Sequence, residues 1–124
     1  MAVTDYTKLE TWQRSMDLAV AVHLATRSYP KEELYGLVSQ TRRSAVSVPS
    51  NIAEGQGRGS SREFVRFLAV ARGSLCELQT QILLAERFGY IGADISGTLM
   101  EQSWTVGRLI NGLIRSVAPP AEPR

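Results

Sequence analysis

The chain has 124 residues, 44% apolar and 21% charged, with a net charge of +2. That is enough for one domain with one real core and too little for two, and it is an ordinary globular composition rather than a disordered one. The single cysteine, Cys76, excludes an internal disulfide and a cysteine-based metal site; the single histidine, His23, excludes a multi-histidine one. No apolar run approaches the length that spans a bilayer. The opening MAVTDYTKLE has no basic region followed by an apolar stretch, so the expectation is a cytoplasmic protein without a signal peptide or membrane contact.

Spacing predicts a first helix over 7–28. Thr7 and Glu10 stand at capping-box spacing, and Leu9, Trp12, Met16, Ala19 and His23 step by three and four along one stripe. That phase puts His23 on the core face as a packed histidine. Tyr29-Pro30 closes the segment, because the residue before a proline leaves helical geometry.

A second helix is predicted from about Glu32 to Glu54, with Leu34, Val38, Thr41, Ala45, Val48 and Ile52 as its stripe. Pro49 falls inside it. Either the helix continues with a kink at Pro49, or it breaks at Val48 and a new turn begins at the proline.

The third helix is the clearest. Ser60 and Glu63 have capping-box spacing, then Phe64, Leu68, Ala71, Leu75, Leu78, Ile82 and Ala85 follow a heptad-like stripe that stops at Phe88-Gly89. At 1.5 Å per residue this is a rod of about 40 Å. Cys76 reads as a small buried residue within it.

The fourth helix opens between Asp94 and Thr98, with Thr98 and Glu101 at capping spacing and Ile95, Leu99, Val106, Leu109 and Leu113 as the stripe. Gln102 interrupts that stripe, and Pro119-Pro120 closes the helix. Four helices joined by short links, with no strand pattern, predict an all-α, up-down-up-down four-helix bundle in a single domain over residues 1–124. Leu18, Val22, Met100 and Trp104 lie off these stripes. They are the candidate oligomer interface, with a widened core face as the alternative for some of them and a place at the edge of the core as the alternative for Trp104.

The stretch VPSNIAEGQGRGSSREF raises the question of a phosphate-binding loop. A P-loop needs a preceding strand, four residues between its glycines and a Gly-Lys-Ser/Thr ending; Gly55, Gly57 and Gly59 meet none of these. The dinucleotide fingerprint fails as well. The glycines read instead as a helix stop at Gly55 and a chain reversal, with Ser60 capping the third helix. No nucleophile-base-orienter set and no glutamate-histidine metal pair is present, so no enzymatic activity, cofactor or metal is expected.

The charge is informative in its placement. Arg42, Arg43, Arg58, Arg62, Arg66 and Arg72 fall within one 31-residue span against Glu54 and Glu63. Forked guanidiniums suit phosphates and carboxylates alike. With Asn51, these residues are the candidate site for nucleic acid or a protein partner. Arg42, Arg43, Arg58 and Arg66 are expected to form one connected cluster with Glu54 and Glu63.

The run LYGLVSQTRRSAVSVPSNIAEGQGRGSSREFVRFLAVARGSLCELQTQILLAERFGYI, with KLETWQRSMDLAVAVHLATRSYP before it and VGRLINGLIRSV after it, closely resembles the bacterial four-helix-bundle family of the 23S rRNA intervening-sequence protein type. The resemblance implies a four-helix bundle that assembles into a ring-like homo-oligomer, a pentamer, with no established enzymatic activity. It also implies kinship with accessory factors of diversity-generating retroelements, which are thought to bind nucleic acid and are more basic than this chain. The family's polar signature falls on Gln40, Arg42, Arg43, Ser47, Asn51, Glu54, Arg58, Glu63, Arg66, Arg72, Ser74 and Glu77. Two readings stand: an oligomeric bundle whose arginines touch RNA or DNA phosphates, or an assembly module whose arginines form salt bridges between subunits.

Overall fold

The computed structural model describes residues 5–118. Four helices carry the fold: α1 (Glu10–Thr26), α2 (Leu37–Gly57), α3 (Ser61–Arg87) and α4 (Ala93–Val117), with short 3-10 turns at Tyr6–Lys8 and Lys31–Glu33. No strand occurs among the described residues. Helix α1 packs against α2 and α4, and α3 packs against α2 and α4, so α1 and α3 stand diagonally across the bundle. Side-chain bonds fix the directions of two pairs. Ser44 meets Glu77 and Ser47 meets Ser74, so α2 and α3 run antiparallel. Gln79 meets Ser103 and Arg72 meets Asn111, so α3 and α4 do too.

The core is centred on Leu18, Val22, Val48, Ile52, Phe64, Leu68, Leu78, Ile82, Val106 and Ile110. Each such side chain taken out of water contributes roughly 1.5–3 kcal/mol. Every apolar position expected for α3 is buried. Helix α2 buries Val38, Thr41, Ala45, Val48 and Ile52 as expected and runs through Pro49 as one helix, so it does not break at Val48. Leu34 lies before the helix and is exposed. The backbone turns at Gly36, and the Glu33 carboxylate accepts the Leu37 N–H at 3.1 Å, which supplies the first turn of α2 with a partner.

Helices α1 and α4 are rotated from their expected phases. The buried face of α1 is Thr11, Ser15, Leu18, Val22 and Thr26, and that of α4 is Ser96, Leu99, Met100, Ser103, Val106 and Ile110. Met16, His23 and Ile95 point outward instead. The reason is size. Each of Ser15, Thr26 and Ser103 returns its hydroxyl to a carbonyl three residues back, at 2.7–3.0 Å, so it enters the core with its polar group satisfied and occupies little space. Cys76 is also exposed rather than buried.

The caps divide similarly. Ser60 caps α3 by accepting the Glu63 N–H at 3.1 Å. Thr7 does not cap α1, which starts at Glu10 without a side-chain cap; Asp5 accepts the Thr7 N–H and hydroxyl in the turn before it. Thr98 sits inside α4, its hydroxyl returned to the Asp94 carbonyl. Gly55 does not stop α2. It lies inside the helix, where a Cβ would fall 2.6 Å from the Phe67 Cβ, so the glycine permits a close approach of α2 and α3. The reversal is made at Gly59, with φ +76, and the stop of α3 at Gly89, with φ +81. Pro119-Pro120 lies outside the described residues.

Candidate functional site

The α2–α3 pair carries a polar seam along its outer side. On α2 the residues are Gln40, Arg43, Ser44, Ser47 and Asn51; facing them on α3 are Ser74, Glu77 and Gln81. They recur every three or four residues, one step away from the buried stripes Thr41, Ala45, Val48 and Leu75, Leu78, Ile82. Helical geometry therefore places them at the rim of the same packed face.

Small residues make the seam concave. The Ser47 and Ser74 hydroxyls meet at 2.8 Å, and Asn51 Nδ2 donates to Ser47 Oγ at 3.0 Å and to the Ser47 carbonyl at 2.8 Å. Ser44 Oγ lies 2.9 Å from Glu77 Oε1 and 3.0 Å from the Gln40 carbonyl, its one proton shared between the two acceptors. Above these serines Gln40, Arg43, Ser44, Ser47, Glu77 and Gln81 enclose a groove of about 390 Å³ with no apolar side chain in its lining.

The hinge end of the seam holds a second group. Arg58 Nη2 donates to Glu54 Oε2 at 2.7 Å. Arg66 forks onto Glu63, Nε to Oε2 at 2.8 Å and Nη2 to Oε1 at 3.2 Å. Both guanidiniums lie over the Phe67 ring, 5.0 and 4.5 Å from its centroid. The Arg66 hydrogen bond, then the charges of Arg66 and Arg58, hold the Glu63 carboxyl below its ordinary value. Each ion pair is exposed and screened by solvent along its own chain segment, so it adds little to stability. Their effect is positional, holding the guanidiniums in place beside the hinge. Arg62 is exposed and pairs with no carboxylate among the described residues.

The expected single arginine cluster is thus three separate arrangements. Arg58 and Arg66 do join Glu54 and Glu63. Arg43 lies further up the seam, in the groove. Arg42 faces α1, donating to Thr26 Oγ1 at 2.8 Å and to the His23 carbonyl at 3.3 Å. A cation at the C-terminal end of α1 adds a second donor to the His23 carbonyl, beside the Thr26 hydroxyl, and complements the negative end of the helix dipole, which makes Arg42 a brace. Arg72 donates to Asn111 Oδ1 on α4 at 3.0 Å, away from the groove.

The expected oligomer interface is also corrected. Leu18 and Val22 are each 1% exposed and Met100 is buried, all within the chain's own core, because the buried faces of α1 and α4 are rotated onto them. Trp104 alone of the four remains at the surface. The apolar surface of α1 is instead Met16, Val20 and Leu24, successive turns exposed by 40%, 58% and 55%. Clefts flank this ridge. One of about 480 Å³ toward α2 is lined by Trp12, His23, Val46, Pro49 and Ala53 among others; one of about 390 Å³ toward α4 includes Ile95 and Leu99.

Among the described residues no three of His, Cys, Asp and Glu lie together in a way that could hold a metal ion, and no helix is long and apolar enough to cross a membrane.

Comparison with known proteins agrees with this architecture. A model of the 23S rRNA-intervening sequence protein family matches residues 7–112. The chain belongs to that family. Among solved structures the family's fold recurs in a protein of unknown function from the S23 ribosomal protein family of Bacteroides thetaiotaomicron. The two share 23% identity and a TM-score of 0.77, over 85% of this chain and 98% of that one. No curated protein matches the chain. The match spans α1, the whole polar seam and most of α4, so the seam belongs to the family domain itself.

Proposed function

We propose that this member of the family is a non-catalytic bundle that assembles with copies of itself and touches RNA or DNA phosphates through the arginines at the α2–α3 hinge. The observation that carries assembly is the Met16–Val20–Leu24 ridge with a cleft on either side. A helix from another copy packs on such a surface by ridges into grooves. A closed ring needs two unlike patches on each copy. The α1 ridge is one. Half-exposed Trp104, which lines neither of the α1 clefts, is the other. The resemblance implies five copies, for a ring net charge of about +10 from +2 each, and weak phosphate contacts then add by avidity.

Arg58 and Arg66, held over Phe67, and unpaired Arg62 are the groups offered to phosphate. Binding of a single-stranded RNA, read by fluorescence anisotropy between about 50 and 300 mM salt, tests this part. Affinity is expected to fall steeply with salt and to drop in Arg62→Ala and Arg66→Ala without sequence preference. Absence of binding at the lowest salt by the assembled protein would leave a protein-assembly role in its place.

A further inference from the structure

We propose that the groove between α2 and α3 is a guanine-binding site, with Glu77 and Arg43 reading adjacent edges of one base. The lining is unusual for a surface cleft between helices, since it holds one cation, one anion, two carboxamides and two serines, with no apolar side chain. Arg43 and Glu77 face the same space from opposite helices and form no ion pair with each other. A simple anion entering the groove meets Glu77 and a simple cation meets Arg43. The groove therefore suits a flat ligand that accepts at one edge and donates at the next.

Guanine has that pattern. Its O6 and N7 accept from the two prongs of a guanidinium, the commonest specific pairing of arginine with a base. Its N1–H and N2–H lie side by side and match the two oxygens of a carboxylate. Adenine, cytosine and uracil lack this contiguous acceptor pair and donor pair. A zwitterionic amino acid carries both charges on one carbon, whereas the groove holds its charges on separate walls.

Two features show a prepared site. The Ser44 hydroxyl, whose one proton is shared between the Gln40 carbonyl and one oxygen of Glu77, orients that carboxylate and leaves its other oxygen without a partner among the described residues, while the Asn51–Ser47–Ser74 chain stiffens the floor. Gln81, only 7% exposed, lines the groove, and its Oε1 has no hydrogen-bond partner among the described residues. Buried side-chain amides are rarely left unbonded, and although this oxygen lies beneath the surface, a turn of the carboxamide toward a base in the groove gives it a partner. Gln81 then secures a third polar point on the base.

Guanosine carries no phosphate, so the test does not depend on the hinge arginines. Amide spectra of the isotopically labelled protein are titrated with guanosine, adenosine, cytidine and uridine, and with glycine as a zwitterion. Guanosine is expected to move the signals of Gln40, Ser44 and Gln81 and to bind about 10-fold tighter than the other nucleosides, a preference lost in Glu77→Gln with the helical spectrum unchanged. A second arm compares a uridine oligonucleotide carrying one guanine with one carrying one adenine. The same preference there assigns the base to RNA; preference for guanosine alone assigns it to a free nucleoside or nucleotide. Equal shifts from all four nucleosides, no shift at all, stronger binding of glycine, or a guanosine response unchanged by Glu77→Gln overturns the proposal. Salt-dependent oligonucleotide binding indifferent to base overturns it while leaving the hinge-phosphate reading in place.

Discussion

Gly55 on α2 and Phe67 on α3 approach so closely that a methyl group on the glycine would sit 2.6 Å from the phenylalanine Cβ. Both carbons are fixed to helical backbone, so neither can swing away. Gly55→Ala gains up to about 1 kcal/mol of helix propensity and loses about 1–3 kcal/mol to overpacking. The expected outcome is a net loss of roughly 1–2 kcal/mol by urea unfolding, although the new residue is the better helix former. Gly57→Ala meets nothing within 4 Å and is expected to be neutral or stabilising.

The rotated faces of α1 and α4 give a paired test. Among the described residues the Ser15 hydroxyl bonds only the Trp12 carbonyl of its own helix. Ser15→Ala should therefore change stability by less than about 0.5 kcal/mol, while Ser15→Leu should destabilise by about 1–3 kcal/mol through overpacking. Thermal and denaturant unfolding of the two variants checks that the position is selected for size.

Tyr90 and Glu33 make a pH-dependent tie between the α3–α4 link and the turn before α2. The phenol donates to Glu33 Oε2 at 2.6 Å, and Glu33 Oε1 accepts the Leu37 N–H. The Tyr90 hydrogen bond first, then the Leu37 one, holds the Glu33 carboxyl below its ordinary 4.5, so its contribution is complete above that value and fades as pH falls through the lowered one. The bond to Glu33 raises the Tyr90 phenol above 10.0, so its contribution is complete below that value and fades as pH rises through the raised one. Melting temperatures of the wild type and Glu33→Gln should differ most between about pH 5 and 10 and converge in acid. Tyr90→Phe should flatten the same profile.

Much of the fold is legible in the sequence because large apolar residues mark the buried faces of α2 and α3. Phe64, Leu68, Leu75 and Ile82 fix the phase of α3 without ambiguity. In α1 and α4 the largest apolar residues mislead. Met16 and, at the other end, Ile95 belong to regular stripes but face outward, and Leu9, Trp12 and Ala19 only flank the core, while the faces that pack contain Thr11, Ser15, Ser96 and Ser103. A small hydroxyl that bonds its own backbone costs little to bury, and polarity scales do not register that. The same error of phase places His23 inward and assigns Leu18 and Val22 to a subunit contact.

The candidate site is legible in part. Arg58, Glu54, Glu63 and Arg66 meet as their spacing across the hinge implies. Arg42 and Arg43 are neighbours in sequence, yet about 100° apart around α2, so one braces α1 and the other lines the groove. Ser44 and Gln81 carry no signal as single residues. Their signal is the polar stripe Gln40, Ser44, Ser47, Asn51 running one position beside the apolar one, matched by Ser74, Glu77 and Gln81 on the facing helix.

The central claim is that the α1 ridge joins copies of this chain. Val20 stands at its middle and makes no part of the chain's own core. Multi-angle light scattering of the wild type and Val20→Asp, at matched concentrations and with helicity checked by circular dichroism, tests this most directly. The expected wild-type mass is a multiple of 13.7 kDa, near five-fold, with a folded Val20→Asp reduced to the single-chain mass. A wild type that scatters as one chain at tens of micromolar, or a Val20→Asp assembly of unchanged mass, contradicts it.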